Sequence, residues 1–457
     1  MIFLSTIAAV STPDATGGIA VIRISGDNAL KIAEKVFVPA GNKIISEMSG
    51  YTCCYGTAHD NDERLDDCIL TVFRAPHSYT GEDVAEISCH GGIYVTRRIL
   101  RTILKNGAEN AEAGEFTKRA YLNGKLDLTQ AEAVMDIISA KGERELRMAE
   151  NLREGAAFRK AEKCSGKLMK ILGDLAAWAD YPEDDIPEVE PENLHRELME
   201  VRKELSSLIE NYDSGRIIRE GVSAAIVGRP NVGKSTLFNC LSGCERSIVT
   251  DIAGTTRDVV EESVKIGDIV LRLSDTAGIR QTDDIIEEIG VNIAEKLIYS
   301  SELVIAVFDG NSPLTQEDME LICKIDSRKA IAVINKSDIG ILPEIPEEIG
   351  KYIPHIVYLS AKENRGIEKL REAIEDIFQI NENTFSAPSV ANERQKKCID
   401  SALICVESAV SALENGELLD AVNVLIDEAE QYLLSLTGKK ITDAVVDEVF
   451  SRFCVGK

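Results

Sequence analysis

Two rhythms of apolar and polar positions alternate along this chain, and the rhythm changes three times. Up to about Leu122, short runs of two-residue period (19–24, 68–73, 84–88) are interleaved with a run of helical period over 28–37, which predicts a compact α/β module. From about Leu128 the pattern is helical. Thr129 and Glu132 have the spacing of a capping box, and Val134, Ile137 and Ile138 follow at helical intervals, as do Leu168, Ile171, Leu172 and Leu175. An acidic, proline-bearing break over 181–187 precedes another helix, whose apolar or aromatic stripe is Leu194, Leu198, Val201, Leu205, Leu208 and Tyr212. Past Gly215 strand-like runs return at 223–227, 262–266, 269–273, 303–308, 330–334 and 356–359. Helical stretches separate most of them, the pattern of βαβ units. After about Ile380 a polar stretch, 381–389, leads back to helix.

The order α/β, helical, α/β, helical suggests segments 1–122, 123–215, 216–380 and 381–457. The last is too small to bury a core alone, so it should pack on the earlier helices and leave 216–380 as an insertion between them. The expected fold class is thus α/β plus α: an N-terminal α/β domain, a helical domain in two segments and an inserted α/β domain. A length of 457 residues fits about three domains at roughly 150 each. The first residues, 1–10, are apolar but too short to span a bilayer and carry no basic n-region. No run reaches the ~18 apolar residues of a spanning helix, so a cytoplasmic protein with no membrane partner is expected. Eleven scattered cysteines without a CxxC pair point to a reducing compartment. The net charge of −26 argues against general binding of polyanions, so contact with RNA would need a local site or a partner.

The sharpest chemistry lies in the second α/β segment. Gly228-Arg229-Pro230-Asn231-Val232-Gly233-Lys234-Ser235 matches G-x-x-x-x-G-K-[ST] between a strand and a helix, as a phosphate-cradling loop requires. Its backbone N–H groups would wrap phosphates, Lys234 would face the β and γ oxygens, Ser235 would ligate Mg²⁺, and Thr236 would join the GTP-binding residues. Asp275-Thr276-Ala277-Gly278 supplies D-x-x-G, where the carboxylate reaches Mg²⁺ through water. Asn335-Lys336-Ser337-Asp338 ends another strand. Asp338 there can accept both N1–H and N2–H of guanine, a pairing adenine cannot offer. Ser360-Ala361-Lys362 fits the element that donates to guanine O6. Together these specify GTP over ATP. Thr250, Asp251, Ile252, Ala253, Gly254, Thr255 and Thr256 stand where a first switch belongs, Thr256 being the natural second Mg²⁺ hydroxyl. After Gly278 comes Ile279, which cannot orient water as the Gln of Ras-like enzymes does. Arg257 and Arg280 are either internal arginine fingers or solvated switch residues.

The phosphate loop, the 250–258 loop, Asp275 to Gly278, Gly114-Glu115-Phe116-Thr117, Asn123-Gly124-Lys125-Leu126-Asp127 and the tail Phe453-Cys454-Val455-Gly456-Lys457 together resemble the MnmE (TrmE) family, the tRNA uridine-5-carboxymethylaminomethyl modification GTPases. The likeness runs the whole length. It implies an N-terminal domain that binds folate and dimerises, a split helical domain and an inserted Ras-like GTPase domain. It also implies K⁺-activated hydrolysis across a homodimer, with K⁺ held by Asn231, Thr250, Ile252 and Thr255. The water-orienting carboxylate falls on Glu287, which by itself reads as a solvated helix residue. For a one-carbon folate, 5-formyl- or methylene-tetrahydrofolate, the resemblance selects Arg23, Glu86, Lys125 and Lys457, otherwise readable as ion-pair residues. Cys454 falls at the modification site, acting covalently or only supporting it. The implied reaction is folate-dependent modification at C5 of the tRNA wobble uridine, in a heterotetramer with a flavin-containing partner, MnmG (GidA). This chain has no dinucleotide fingerprint of its own with which to bind flavin. His90 reads as structural. The rival readings are a ribosome-assembly GTPase switch of the Era or Der kind, which usually carries a basic RNA-binding module or a second G domain, and a scaffold that binds GTP without turnover.

Overall fold

The computed structural model describes residues 5–140, 142–180, 190–210, 212–244, 262–267, 269–273, 297–325, 328–380, 390–440 and 442–457. The breaks expected at 181–187 and 381–389 lie outside them. The chain divides into two compact units, one comprising 1–135, 153–199 and 401–457, the other 136–152 and 200–400.

In the first unit the described strands are β1 (Ile7–Val10), β2 (Ile19–Ser25), β3 (Phe37–Pro39), β4 (Thr52–Asp60), β5 (Glu63–Phe73), β6 (Val84–His90) and β7 (Glu109–Asn110), and the helices among them are α1 (Ala29–Val36), α2 (Ile93–Lys105) and α3 (Glu115–Leu122). They form a seven-stranded sheet in the order β3-β4-β5-β6-β2-β1-β7, antiparallel except for β1 with β7. Strand β2 shows why one face is core: Ala20, Ile22 and Ile24 alternate inward and pack with Leu30, Ile32, Ala33 and Val36 of α1 and Ile99 and Ile103 of α2. Asn61, at φ 56°, turns the two-residue hairpin between β4 and β5, where a left-handed residue matches the twist of the strands.

Helix α4 (Leu128–Ser139) begins two residues ahead of the start that the Thr129 capping box predicts. Asp127 is the cap: its Oδ1 accepts the Gln130 N–H at 2.8 Å, and Gln130 Oε1 accepts the Asp127 N–H at 3.0 Å. The Thr129–Glu132 expectation is corrected accordingly, because the Asp127 carboxylate accepts the Gln130 N–H and the Thr129 hydroxyl and so draws Thr129 into the helix. Helices α5 (Glu143–Arg153), α6 (Ala156–Asp180), α7 (Pro191–Ile209) and α8 (Tyr212–Glu220) continue the chain. The stripe from Leu194 to Tyr212 is buried throughout.

The second unit is built on β8 (Val222–Val227), α9 (Lys234–Cys244), β9 (Glu262–Ile266), β10 (Ile269–Leu273), β11 (Leu303–Asp309), α10 (Gln316–Ile325), β12 (Ala330–Asn335), α11 (Glu344–Ile349), β13 (His355–Tyr358) and α12 (Ile367–Ile377). Its six described strands run β13-β12-β11-β8-β10-β9, parallel except for the β9–β10 hairpin. Strands β11 and β12 are almost continuously apolar because both faces of a parallel sheet are covered. Ile305, Val307, Ile331 and Val333 face the layer with Leu237 and Leu370, while Val304, Phe308, Ala332 and Ile334 face the layer with Ile322 and Ile345. The chain ends with α13 (Glu393–Glu414), α14 (Leu419–Thr437) and α15 (Asp443–Ser451). In the first unit α14 lies along α6, and Phe450 of α15 packs with Leu128, Ala131 and Phe453. Among the described residues no helix is long and apolar enough to cross a membrane.

Candidate functional site

The order β11-β8-β10 makes β8 the point from which crossovers leave to both sides, and ligands of open α/β sheets settle outside the carboxyl ends of such strands. Residues 228–233 run from that end of β8 into α9. Gly228 has φ 150°, and a Cβ on it would lie 2.4 Å from the Val307 carbonyl oxygen, so only glycine lets the loop cross β11 this closely. Asn231 (φ 64°) and Gly233 (φ 101°) are left-handed, the backbone curl that turns successive N–H groups to one side. Lys234 donates from Nζ to the carbonyls of Gly228 (2.7 Å) and Arg229 (2.8 Å). Burial pulls its ammonium below the ordinary lysine range, a cost that arriving phosphate charge would reverse. Ser235 and Thr236 are exposed at the start of α9, while Val232 is buried as an anchor.

Asn335, at the end of β12, joins three loops. Its Nδ2 donates to Val232 O at 2.9 Å, its Oδ1 accepts the Ala361 N–H at 3.1 Å, and its side chain stands where a Cβ on Gly233 would be. This buried amide ties the phosphate loop to the 360–362 loop, a role the motif alone does not spell out. Lys336 (φ 62°) sends Nζ to Asp309 Oδ2 at 2.7 Å. Ser360 Oγ donates to Asp338 Oδ1 at 2.6 Å, and that hydrogen bond holds the exposed Asp338 carboxyl below its usual range, ionised and ready to accept. Lys362 is exposed beside it. Of the expected nucleotide residues, Asn231, Val232, Gly233, Lys234, Ser235, Thr236, Asn335, Lys336, Asp338, Ser360, Ala361 and Lys362 thus stand on adjoining loops. Thr250, Asp251, Ile252, Ala253, Gly254, Thr255, Thr256, Asp275, Thr276, Ala277, Gly278 and Glu287, with Arg257, Ile279 and Arg280, lie outside the described residues.

A second cluster forms in the first unit. Arg23 on β2 and Glu86 on β6 are directly opposed in the sheet register, and Arg23 Nε donates to Glu86 Oε1 at 2.8 Å. The Arg23 guanidinium lies 5.4 Å from the Tyr79 ring centre and 5.5 Å from that of Phe116, cation–π contacts that sequence reasoning missed because they join distant loops. Its Nη1 is buried without a hydrogen-bond partner among the described residues.

The tail reaches the same place. Val455 bridges Ala113, Cys454 O accepts the Gly114 N–H at 3.4 Å, and Ser11 Oγ donates to Gly456 O at 3.1 Å. Gly456 has φ 97° and passes so close to β1 that a Cβ would lie 2.3 Å from Val10 O. Burial first, then the neighbouring Arg23, pushes the Lys457 ammonium below its ordinary range, with Glu86 opposing. Cys454 is exposed on this docked tail. Lys125 donates to Pro76 O at 3.0 Å, on the loop that carries Tyr79, rather than pairing with Glu86. A cluster with opposed charges, the partly exposed Tyr79 ring and a buried idle donor backed by the core residue Phe116 suits a flat heterocycle with acceptor atoms and an anionic tail. His90 pairs with Asp66 at 2.7 Å on the surface.

Comparison with known proteins adds identity to this geometry. Residues 6–125 match the family described as GTP-binding protein TrmE N-terminus, and residues 128–454 match the MnmE helical domain. The chain is similar to the tRNA modification GTPase MnmE of Clostridioides difficile (strain 630), 42% identical over 456 residues and 99% of both chains. It is 40% identical to the protein of that name from Acetivibrio thermocellus over 457 residues, 99% of each chain. A third relative of the same name, from Thermoanaerobacter pseudethanolicus, is 40% identical over 463 residues and the full length of both. With two family matches that together span nearly all of its length, this chain belongs to the MnmE (TrmE) family of tRNA modification GTPases.

Proposed function

We propose that this protein is a K⁺-activated GTPase that acts as a homodimer and, with a flavin-containing partner of the MnmG (GidA) kind, carries out folate-dependent carboxymethylaminomethyl modification at C5 of the tRNA wobble uridine. As a member of a GTPase family it binds GTP with Mg²⁺. On this reading residues 1–122 form the folate-binding and dimerising domain, 216–380 the GTPase domain, and 123–215 with 381–457 the helical domain that the GTPase domain interrupts. The setting is the cytoplasm.

The observation that carries the reading is the docking of tail residues 454–457 beside Arg23 and Glu86. A ribosome-assembly switch of the Era or Der kind does not call for a second charged cluster beside an exposed thiol.

In the GTPase domain, Asp338 selects guanine, Lys234 moves from its loop carbonyls to the β and γ oxygens, and Ser235 and Thr256 offer hydroxyls to the divalent ion. Glu287 orients the attacking water in place of the absent Gln. Asn231, Thr250, Ile252 and Thr255 present oxygens to K⁺. Bound K⁺ and Mg²⁺ supply positive charge where the transferred phosphoryl group gathers negative charge, and the folate supplies the one-carbon unit. In the charged cluster, Glu86 accepts from an amino-pyrimidine edge while Arg23, Lys125 and Lys457 neutralise an anionic tail. Cys454 stands at the modification site.

GTP turnover measured in matched KCl and NaCl should be stimulated by K⁺ and little by Na⁺. Equal rates in the two salts would remove K⁺ activation from the proposal.

A further inference from the structure

The segment that leaves β11 touches both halves of the nucleotide site. Asp309, at the strand's end, accepts Lys336 Nζ, Asn311 donates from Nδ2 to Lys336 O at 3.0 Å, and the Gly310 N–H donates to Asn335 O at 3.0 Å. Burial works against ionisation of Asp309, but the Lys336 ammonium and the Asn311 N–H outweigh it and hold the carboxyl below its usual range. Further along, the same segment turns to the phosphate loop. Arg229 Nη2 donates to Ser312 Oγ, and Arg229 Nε, which makes no hydrogen bond among the described residues, lies 3.2 Å from Asp318 Oδ2 as an ion pair.

Asp318 is the unusual member. It is 2% exposed, and its Oδ1 has no hydrogen-bond partner among the described residues. Its Oδ2 accepts both the N–H and the hydroxyl of Thr315 at 2.9 Å, and Thr315 Oγ1 in turn accepts the Asp318 N–H at 3.3 Å, which caps α10. A cap needs no buried charge. The cation that compensates this carboxylate belongs to Arg229, whose own carbonyl holds Lys234.

We propose that Asp318 is a positioning residue of the nucleotide site: through Arg229 it fixes the phosphate loop, while Asp309 and Asn311 fix the Lys336 loop, so that segment 309–318 couples the phosphate and guanine halves. The inference rests on the reading that residues 228–235 bind GTP. Since the segment holds the two loops themselves, its loss weakens GTP and GDP alike.

The test uses the full chain, with Kd for GTP and GDP, and KM and kcat for hydrolysis, measured in Asp318→Asn, Arg229→Ala, their double variant and Thr315→Ala. Each of the first two should raise both Kd values about tenfold, equivalent to roughly 1.4 kcal/mol. The double variant should be no worse than the weaker single, as two halves of one contact require. Thr315→Ala should lower thermal stability and leave both Kd values unchanged. Unchanged affinity in Asp318→Asn, additive losses, or equal loss in Thr315→Ala would each overturn the inference. Should Asp318→Asn fail to fold, Arg229→Ala decides, with Arg229→Lys expected to recover part of the affinity and an unchanged Arg229→Ala overturning it. An unmodified chain that binds no GTP would instead remove the underlying reading.

Discussion

Asp338 shows how much one side chain can decide. The Ser360 hydroxyl orients its carboxylate and keeps it ionised, leaving a pure acceptor at the place where guanine offers two donors. An amide there keeps the shape but turns one acceptor into a donor. Asp338→Asn should therefore weaken GTP by at least about tenfold and favour xanthosine triphosphate, whose ring carbonyl accepts what guanine's amino group cannot. Competition binding with the two nucleotides checks this. Asn335 works differently: it faces protein on both amide atoms, so its part is to hold Val232 and Ala361 together before any nucleotide arrives.

At the scale of elements, the pairing of α6 with α14 contains a cost that can be measured. Glu430 is buried on α14, with Oε1 accepting from Ser165 of α6 at 2.7 Å and Oε2 unpartnered among the described residues. Burial raises its carboxyl above the ordinary 4.5, against smaller opposing help from Ser165 and Lys439. The folded state then holds its proton at pH values where the unfolded chain has released it. Stability from this group is present at pH below the ordinary value and is lost as pH rises through the raised one. Thermal unfolding between pH 4 and pH 8 should show this decline, and Glu430→Gln should flatten it. An unchanged slope would place the charge elsewhere.

Elements also show what was legible in the sequence. The strands of the second sheet were readable because β11 and β12, buried on both faces, are uninterrupted apolar runs. The phosphate and guanine loops were readable because each motif is contiguous. The start of α4 was misplaced by two residues because Asp127 and Thr129 are both competent caps, and the sequence does not rank them. Arg229 with Asp318, and Arg23 with Tyr79 and Phe116, were illegible for another reason. Such partners meet only once strand order brings their loops together, and one chain without its fold carries no signal of that order.

For the molecule as a whole, the separation of two chemistries is the main expectation: nucleotide turnover in one unit, a charged cluster beside the docked tail in the other. Gly456→Ala tests the separation. A Cβ there would meet Val10 O at a left-handed position, so the tail, with Cys454 and Lys457, must leave its seat. Modified wobble uridine should fall at least about tenfold in cells carrying this variant, while GTP turnover of the purified protein stays within about twofold. Loss of both together would mean that the tail supports the whole fold. The net charge of −26 agrees with a protein that meets tRNA through a recessed site or a shared surface and not through a basic face.

The most direct measurement is nucleoside analysis of tRNA from cells that lack the gene, with and without the gene restored. The account predicts that the carboxymethylaminomethyl group at C5 of wobble uridine disappears and returns with the restored chain. Wobble nucleosides that are identical in the presence and absence of the gene would contradict it.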